Sequence, residues 1–202
     1  MPFARLAPGL TAEQLVAALA DPHRSAEARG RLIALGPEAA DAALDGLSHP
    51  DSRVRVNSCQ VLDHVMDPAS VPAIIRALAD PEPEVRWNAL HALACDRCKA
   101  GECRPSAEAV LPPAMALLAA DPNSRVRAGA AEVVGAWAHS RREAAEALNV
   151  SARTDPSPAV RKKASWYAPG GPIFLRTRPR EPSRRDRSRP ARPRSRSRRS
   201  PR

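Results

Sequence analysis

The chain has 202 residues and a formal net charge of +10, and aromatic residues make up only 3% of it while apolar residues make up 43%. Because aromatics are so few, Ala, Leu and Val must form the core, which favours thin, closely packed helices over a β-sandwich. No run of about 18 apolar residues occurs and residues 1–10 do not resemble a signal peptide, so we expect a cytoplasmic protein that does not bind or span a membrane.

The positive charge is concentrated at the C-terminal end of the sequence. From Pro172 onward there are thirteen Arg against Glu181 and Asp186, a local balance of +11, so the remainder carries −1. The high pI therefore belongs to this segment, and the rest of the chain has no overall basic bias that would indicate a nucleic-acid-binding domain.

Ten amphipathic helices are predicted along the chain, and they pair into five hairpins. Residues 71, 74, 75 and 78, for example, are Val, Ile, Ile and Leu, the spacing of one apolar helix face. The predicted pairs are 11–20 with 25–35, 37–47 with 53–66, 70–79 with a helix that begins at Pro83, 107–119 with 124–139, and 141–152 with 158–167.

A seven-residue motif, Asp-Pro-x-x-x-Val-Arg, lies between the two helices of most hairpins. It occupies residues 80–86, 121–127 and 155–161, and a copy that begins with His49 occupies 49–55. Its arginines step by 31, 41 and 34 residues, and a period of about 30–45 residues is typical of stacked repeats. Each Asp is expected to accept backbone N–H groups where the next helix begins.

These Asp-Pro turns and Val-Arg openings resemble HEAT repeats, specifically the bacterial HEAT-like type found in phycobilisome lyases. The resemblance implies an all-α fold, a short right-handed α-solenoid (an armadillo-like superhelix) of about five hairpins over residues 1–168. It also implies a ladder of ion pairs between neighbouring repeats, formed by Arg55, Asp80, Arg86, Asp121, Arg127, Asp155 and Arg161.

The same resemblance argues against one enzymatic activity. HEAT-like hydroxylases of the deoxyhypusine type bind iron through His-Glu pairs directly after the Val-Arg opening. Here those positions hold Val56-Asn57, Trp87-Asn88, Ala128-Gly129 and Lys162-Lys163. We therefore expect a non-enzymatic protein with no cofactor other than the metal considered next.

The 41-residue step contains a cysteine-bearing insertion, residues 95–106. Cys95, Cys98 and Cys103 have the spacing C-x2-C-x4-C, and His91 lies one helical turn before Cys95. His91, Cys95, Cys98 and Cys103 match the ligand set of one structural zinc ion, with His64 as a substitute ligand. The alternatives are a surface loop with reduced cysteines, and an iron–sulfur or redox site. Cys59, inside a helix, is interpreted as a packing residue.

Residues 169–202 form a Pro/Gly break followed by an Arg-, Ser- and Pro-rich tail, which its composition predicts to be disordered. Such a tail is expected to bind nucleic acid or another polyanion with strong salt dependence; a solubilising or unselected extension is the alternative. The candidate contacts are Arg184, Arg185, Arg187, Arg189, Arg192, Arg194, Arg196, Arg198 and Arg199.

Second helices of such arrays line the inner face, where partners bind. Trp87 lies off the apolar stripe of its helix and, with Asn88, is a candidate contact; edge packing is the alternative for Trp87. Three hypotheses result: a scaffold or adaptor that binds a protein through the concave face, a nucleic-acid-associated protein that uses its tail, and a metal-dependent or redox role for the insertion.

Overall fold

The computed structural model describes residues 5–94 and 105–179, and within these residues every regular element is helical. The α-helices are α1 Ala12–Ala18, α2 Ser25–Leu35, α3 Ala40–Gly46, α4 Ser52–Val65, α5 Val71–Ala77, α6 Pro83–Ala94, α7 Ala107–Ala120, α8 Ser124–Gly135, α9 Arg142–Thr154, α10 Pro158–Tyr167 and α11 Pro172–Arg176; a 3-10 turn, Gly36–Ala39, precedes α3. The five predicted hairpins are confirmed.

The hairpins stack in chain order: the two helices of each hairpin contact each other, and each second helix contacts the second helices of the neighbouring repeats. The second helices α2, α4, α6, α8 and α10 pack against one another more extensively than the first helices do. The closer row forms the inner side of the curved array. One continuous core of Leu, Val and Ala side chains runs between the two rows.

Each Asp-Pro turn is held by its own carboxylate, as predicted. Oδ1 of Asp80, Asp121 and Asp155 accepts the N–H two residues later, at 2.8 Å in all three. In the divergent copy, Nδ1 of His49 accepts the N–H of Asp51 at 3.0 Å, so the ring nitrogen replaces the missing carboxylate oxygen. The first hairpin has the same turn at Asp21, which the sequence reasoning missed: Oδ1 accepts the N–H of His23 at 2.9 Å.

Three bidentate ion pairs join consecutive repeats. In each, Nε and Nη2 of the motif arginine donate to the Asp of the next turn while Nη1 donates to the carbonyls of its own turn. Their shortest nitrogen–oxygen distances are 2.7 Å for Arg55–Asp80, 2.7 Å for Arg86–Asp121 and 2.8 Å for Arg127–Asp155. One guanidinium thus satisfies two successive turns and fixes the register between repeats.

This ladder is open at both ends. Nη1 of Arg161 donates to the carbonyls of Asp155 and Pro156, but among the described residues Arg161 has no carboxylate partner. At the other end the register position of the arginine is occupied by Glu27, whose carboxylate accepts the N–H of Leu6 at 3.1 Å and pairs with Arg31 at 2.7 Å. The terminal hairpin therefore uses a different set of contacts to hold the chain that covers it.

The short helix α11 was not predicted, since the sequence indicated only a break and a short apolar run. Gly171 lies within a tight turn where a Cβ would come 2.1 Å from the carbonyl oxygen of Ser165, so the chain can reverse only with glycine there. Phe174 then stacks on His139 at 3.9 Å between ring centroids, and His139 Nε2 donates to the Phe174 carbonyl at 2.9 Å. α11 therefore extends the packed structure beyond residue 168.

Candidate functional site

A chain of polar side chains connects the first three second-row helices on the inner face. Nη1 of Arg29 donates to Oδ1 of Asn57 at 2.7 Å and to Oε1 of Gln60 at 2.6 Å, and Nε2 of Gln60 donates to Oδ1 of Asn88 at 3.0 Å. The Nδ2 groups of Asn57 and Asn88 donate to backbone carbonyls of their own helices at 2.7 Å. Asn88, a predicted contact residue, is 3% exposed and thus acts first as a connector between repeats.

Trp87, the other predicted contact residue, is half-buried and packs against the core. It lies against the next repeat because residue 129 is Gly: a Cβ there would come within 3.2 Å of Trp87 Cδ1. The Arg125 guanidinium lies 4.0 Å from the ring centroid, and its Nη1 pairs with Glu84 at 2.6 Å. The ring therefore packs at a repeat boundary, which agrees with the edge-packing alternative, and its contact with a partner stays a prediction for the part that is accessible.

A cleft of about 330 Å3 opens between α2, α4 and α6, next to this tryptophan. Its wall includes the stacked rings of Trp87 and His91, whose centroids are 5.7 Å apart at an interplanar angle of 12°. Other lining residues are Arg29, Ile33, Gln60, Asp63 and His64. The cleft combines an aromatic wall with polar groups that converge from three helices, the arrangement typical of a binding site.

Asp63 is the unusual residue of this cleft. It is only 6% exposed, its Oδ1 is enclosed, and its carboxylate accepts no hydrogen bond from any residue in 5–94 or 105–179. Oδ2 lies 3.7 Å from Nε2 of His91, which is an ion-pair distance but too long for a hydrogen bond. Buried carboxylates are normally hydrogen-bonded or paired, so this group marks the cleft as a candidate site.

Cys59 lines the same cleft, but it behaves as a packing residue, as predicted. The side chain is fully buried, and burial raises the pKa of its thiol to about 12. The thiolate, which is the reactive and metal-binding form, is therefore negligible at neutral pH.

Comparison with known proteins agrees with the repeat architecture. A family model described as HEAT repeats matches residues 40–111, which contain the His49 and Asp80 turns and helices α3 to α6. Residues 40–111 thus match HEAT repeats, and the described residues fold as a HEAT-like repeat array. No curated protein matches it significantly in sequence.

Among solved structures, the HEAT-like array is similar to a chain in the complex of CpcE and CpcF of phycocyanin lyase from Nostoc sp. PCC7120. The TM-score is 0.62 at 20% identity, and the match covers 77% of this chain and 96% of that one. A designed armadillo repeat protein gives a TM-score of 0.49 at 20% identity over 76% of this chain and 79% of its own. At 20% identity, the likeness to the lyase chain shows the fold alone.

The predicted zinc ligands are divided between described and undescribed parts of the HEAT-like array. Cys95, Cys98 and Cys103 lie outside the described residues. His91 lies within them, in the last turn of α6, with a side chain that is 54% exposed. His64 is also exposed and lines the same cleft. Within 5–94 and 105–179, no three His, Cys, Asp or Glu side chains are grouped so as to hold a metal ion.

The nine tail arginines, Arg184 to Arg199, also lie outside the described residues, which end at 179. Across the described helices of the HEAT-like array, none is long and apolar enough to cross a membrane.

Sequence reasoning missed the Asp63–His91 pair and the Arg29 chain of polar contacts, although both leave a signal in the repeat register. Arg29, Asn57 and Asn88 each stand eight residues after the first residue of their turn, so stacking places them in one column. Asp63 stands fourteen residues after the first residue of its turn, and the same position holds Leu35 in the first repeat and Ala94 in the third. A carboxylate in a register of apolar residues is the pattern that would have revealed it.

Proposed function

We propose that the chain is a non-enzymatic adaptor that binds a protein partner through the concave face of its HEAT-like array. The cleft between α2, α4 and α6 carries this proposal, because it joins an accessible aromatic wall to a buried carboxylate that lacks a hydrogen-bond donor among the described residues. Protein interfaces concentrate their binding energy at such aromatic and charged positions near the centre of the contact.

The chemistry of the described lining supports binding over catalysis. Its one thiol, Cys59, has a pKa of about 12, so it supplies no nucleophile at neutral pH. The amide groups of Asn57, Gln60 and Asn88 are committed to contacts between repeats. These groups hold the walls of the cleft in place and leave Trp87, His91 and Asp63 to meet a partner.

Site-specific photo-crosslinking tests the location of the partner. A photoreactive residue at His64, which is exposed and lines the cleft, should yield a discrete crosslinked protein from a cell extract. The same residue at Arg76, exposed on the outer helix α5, is the control and should not yield it. Trp87→Ala should reduce the His64 crosslink by about tenfold or more.

Trp166→Ala is the matched control for Trp87→Ala, since Trp166 is 36% exposed at the far end of the array. It should leave the crosslink unchanged. Equal crosslinking from positions 64 and 76, or an equal effect of the two tryptophan substitutions, would contradict binding at the cleft.

We further propose that the insertion holds one structural zinc ion through His91, Cys95, Cys98 and Cys103. One feature of His91 supports it: the ring is half-exposed in the last turn of α6, directly before the insertion begins. Bound zinc would pin the insertion to α6. Elemental analysis of the purified chain should find one zinc per chain, reduced by Cys98→Ser; coloured iron would instead indicate redox chemistry.

The arginine-rich tail supports a second candidate function, association with nucleic acid. It rests on the formal net charge, which is +11 from Pro172 onward and −1 for the rest of the chain. Affinity for a generic duplex should fall steeply with salt and should be lost when the nine arginines from Arg184 to Arg199 are replaced by Gln. If the variant still binds the duplex, the nucleic-acid function is contradicted, and the adaptor proposal is not affected.

A further inference from the structure

We propose that the Asp63 cleft receives a lysine or arginine side chain of the protein partner. This inference rests on the adaptor function proposed above and names the chemistry that its cleft recognises. It begins from the Asp63 carboxylate, which is 6% exposed and has no hydrogen-bond donor among residues 5–94 and 105–179. A desolvated carboxylate is strongly unfavourable until a cation or several donors reach it, so the cleft favours a cationic guest.

The charged groups around Asp63 leave that position open. Arg29 directs Nη1 to the amide oxygens of Asn57 and Gln60, and it forms no ion pair with Asp63. Arg125 is committed to Glu84 and to the Trp87 ring. His91 is the nearest described cationic group when protonated, and its Nε2 is 3.7 Å away. Oδ2 is therefore the oxygen that an incoming N–H group can approach from the cleft.

The walls suit the rest of such a side chain. The Trp87 ring, stacked on His91, offers a π-face that attracts cations, and Ile33 offers an apolar surface for the methylene stem. A volume of about 330 Å3 lies at the lower end of ligand pockets, so it fits one side chain better than a large organic cofactor. An anionic guest would meet the Asp63 carboxylate and would have to displace the amides bound to Arg29.

NMR titration of the full chain, with 13C-labelled Asp and His side chains, tests this without knowledge of the partner. The probes are the blocked tripeptide acetyl-Gly-Lys-Gly-amide and its norleucine counterpart, which has the same stem without the charge. The lysine peptide should shift the Asp63 carboxylate and His91 ring resonances and bind about tenfold more tightly than the norleucine peptide.

Two variants locate the response. Asp63→Asn keeps the shape of the side chain and should abolish the difference between the two peptides. Glu132→Gln is the matched control: Glu132 holds the equivalent register position to Gln60 and His91 on α8 and pairs with Lys163 at 2.9 Å, and its loss should leave the response unchanged. Unaltered amide spectra verify that both variants fold. Equal binding of the two peptides, or a lysine response that persists in Asp63→Asn, would overturn the proposal.

The chain's own cations are the rival occupants. Two variants test them: Arg97→Gln combined with Lys99→Gln, and the variant with the nine tail replacements. If either one shifts the Asp63 carboxylate resonance of the peptide-free protein, then the altered segment fills the cleft and the proposal is overturned. If neither does so and lysine discrimination is absent while the His64 crosslink is present, the adaptor function stands and this inference alone falls. Lysine discrimination without any His64 crosslink would instead count against the adaptor function.

Discussion

Asp121 and Asp63 are buried to the same extent, each 6% exposed, yet the array treats them in opposite ways. The carboxylate of Asp121 accepts hydrogen bonds from Nε and Nη2 of Arg86 and from the backbone N–H of Asn123. Asp63 accepts no hydrogen bond from the described residues. Two equally buried carboxylates thus differ in the number of hydrogen-bond donors that the fold supplies to them.

The difference follows from where each residue stands in the repeat. Asp121 lies in a turn, at a position that stacking brings beside a motif arginine, and three repeat boundaries share this geometry. Asp63 lies near the end of α4, at a position where the first and third repeats have Leu35 and Ala94. Asp63 therefore takes no part in the Arg–Asp contacts that recur between repeats.

The largest loss of stability is expected when Asp121, like Asp63, is left without an arginine partner. Arg86→Ala leaves the Asp121 carboxylate buried without its cation, so the free energy of unfolding should fall by about 3–5 kcal/mol. Urea denaturation monitored by circular dichroism measures it. The double variant Arg86→Met with Asp121→Leu should recover much of that loss, because no charge is left buried; a double variant as unstable as the single one would show that the pair itself is indispensable.

Acid should weaken the ladder through Asp155. The hydrogen bonds from Arg127 hold the pKa of this carboxyl below its ordinary value of 3.8. The pair therefore stabilises the fold fully above that ordinary value, and the contribution is lost as the pH falls through the lower folded value. Melting temperatures of the wild type and Asp155→Asn should differ at neutral pH and converge in acid. A constant difference across the acid range would contradict this assignment.

The smallest effect is expected at the open end of the ladder. Arg127 binds a carboxylate, whereas Arg161 donates only to the carbonyls of Asp155 and Pro156 among the described residues. Arg161→Gln should therefore cost about 1 kcal/mol or less, and Arg127→Gln several times more. Comparable losses in urea denaturation would indicate that Arg161 has found a carboxylate elsewhere, for instance in another molecule.

The sequence predicted the parts of this molecule that repeat. The five hairpins and the Asp-Pro turns follow from the helix pattern and from one motif with its period, and the three Arg–Asp pairs were what the resemblance to HEAT repeats implied. Features that occur only once were harder to predict from the sequence. The helix α11 depends on a turn at Gly171, which has no counterpart in the other repeats. The repeat register marks Asp63 as unusual, but it does not specify the contact of Asp63 with His91, which depends on how α4 packs against α6. Trp87 was recognised because it lies off the apolar stripe of its helix.

We propose that Asp63 serves binding, whereas Asp121 stabilises the fold. The most direct test compares the free energies of unfolding of Asp63→Asn and Asp121→Asn with that of the wild type, measured by urea denaturation. We expect Asp121→Asn to lose about 3 kcal/mol, because Arg86 is left buried without its counter-charge. We expect Asp63→Asn to lose nothing, or to gain up to about 1 kcal/mol, because an unpaired buried charge is removed. Equal losses in the two variants would contradict the account.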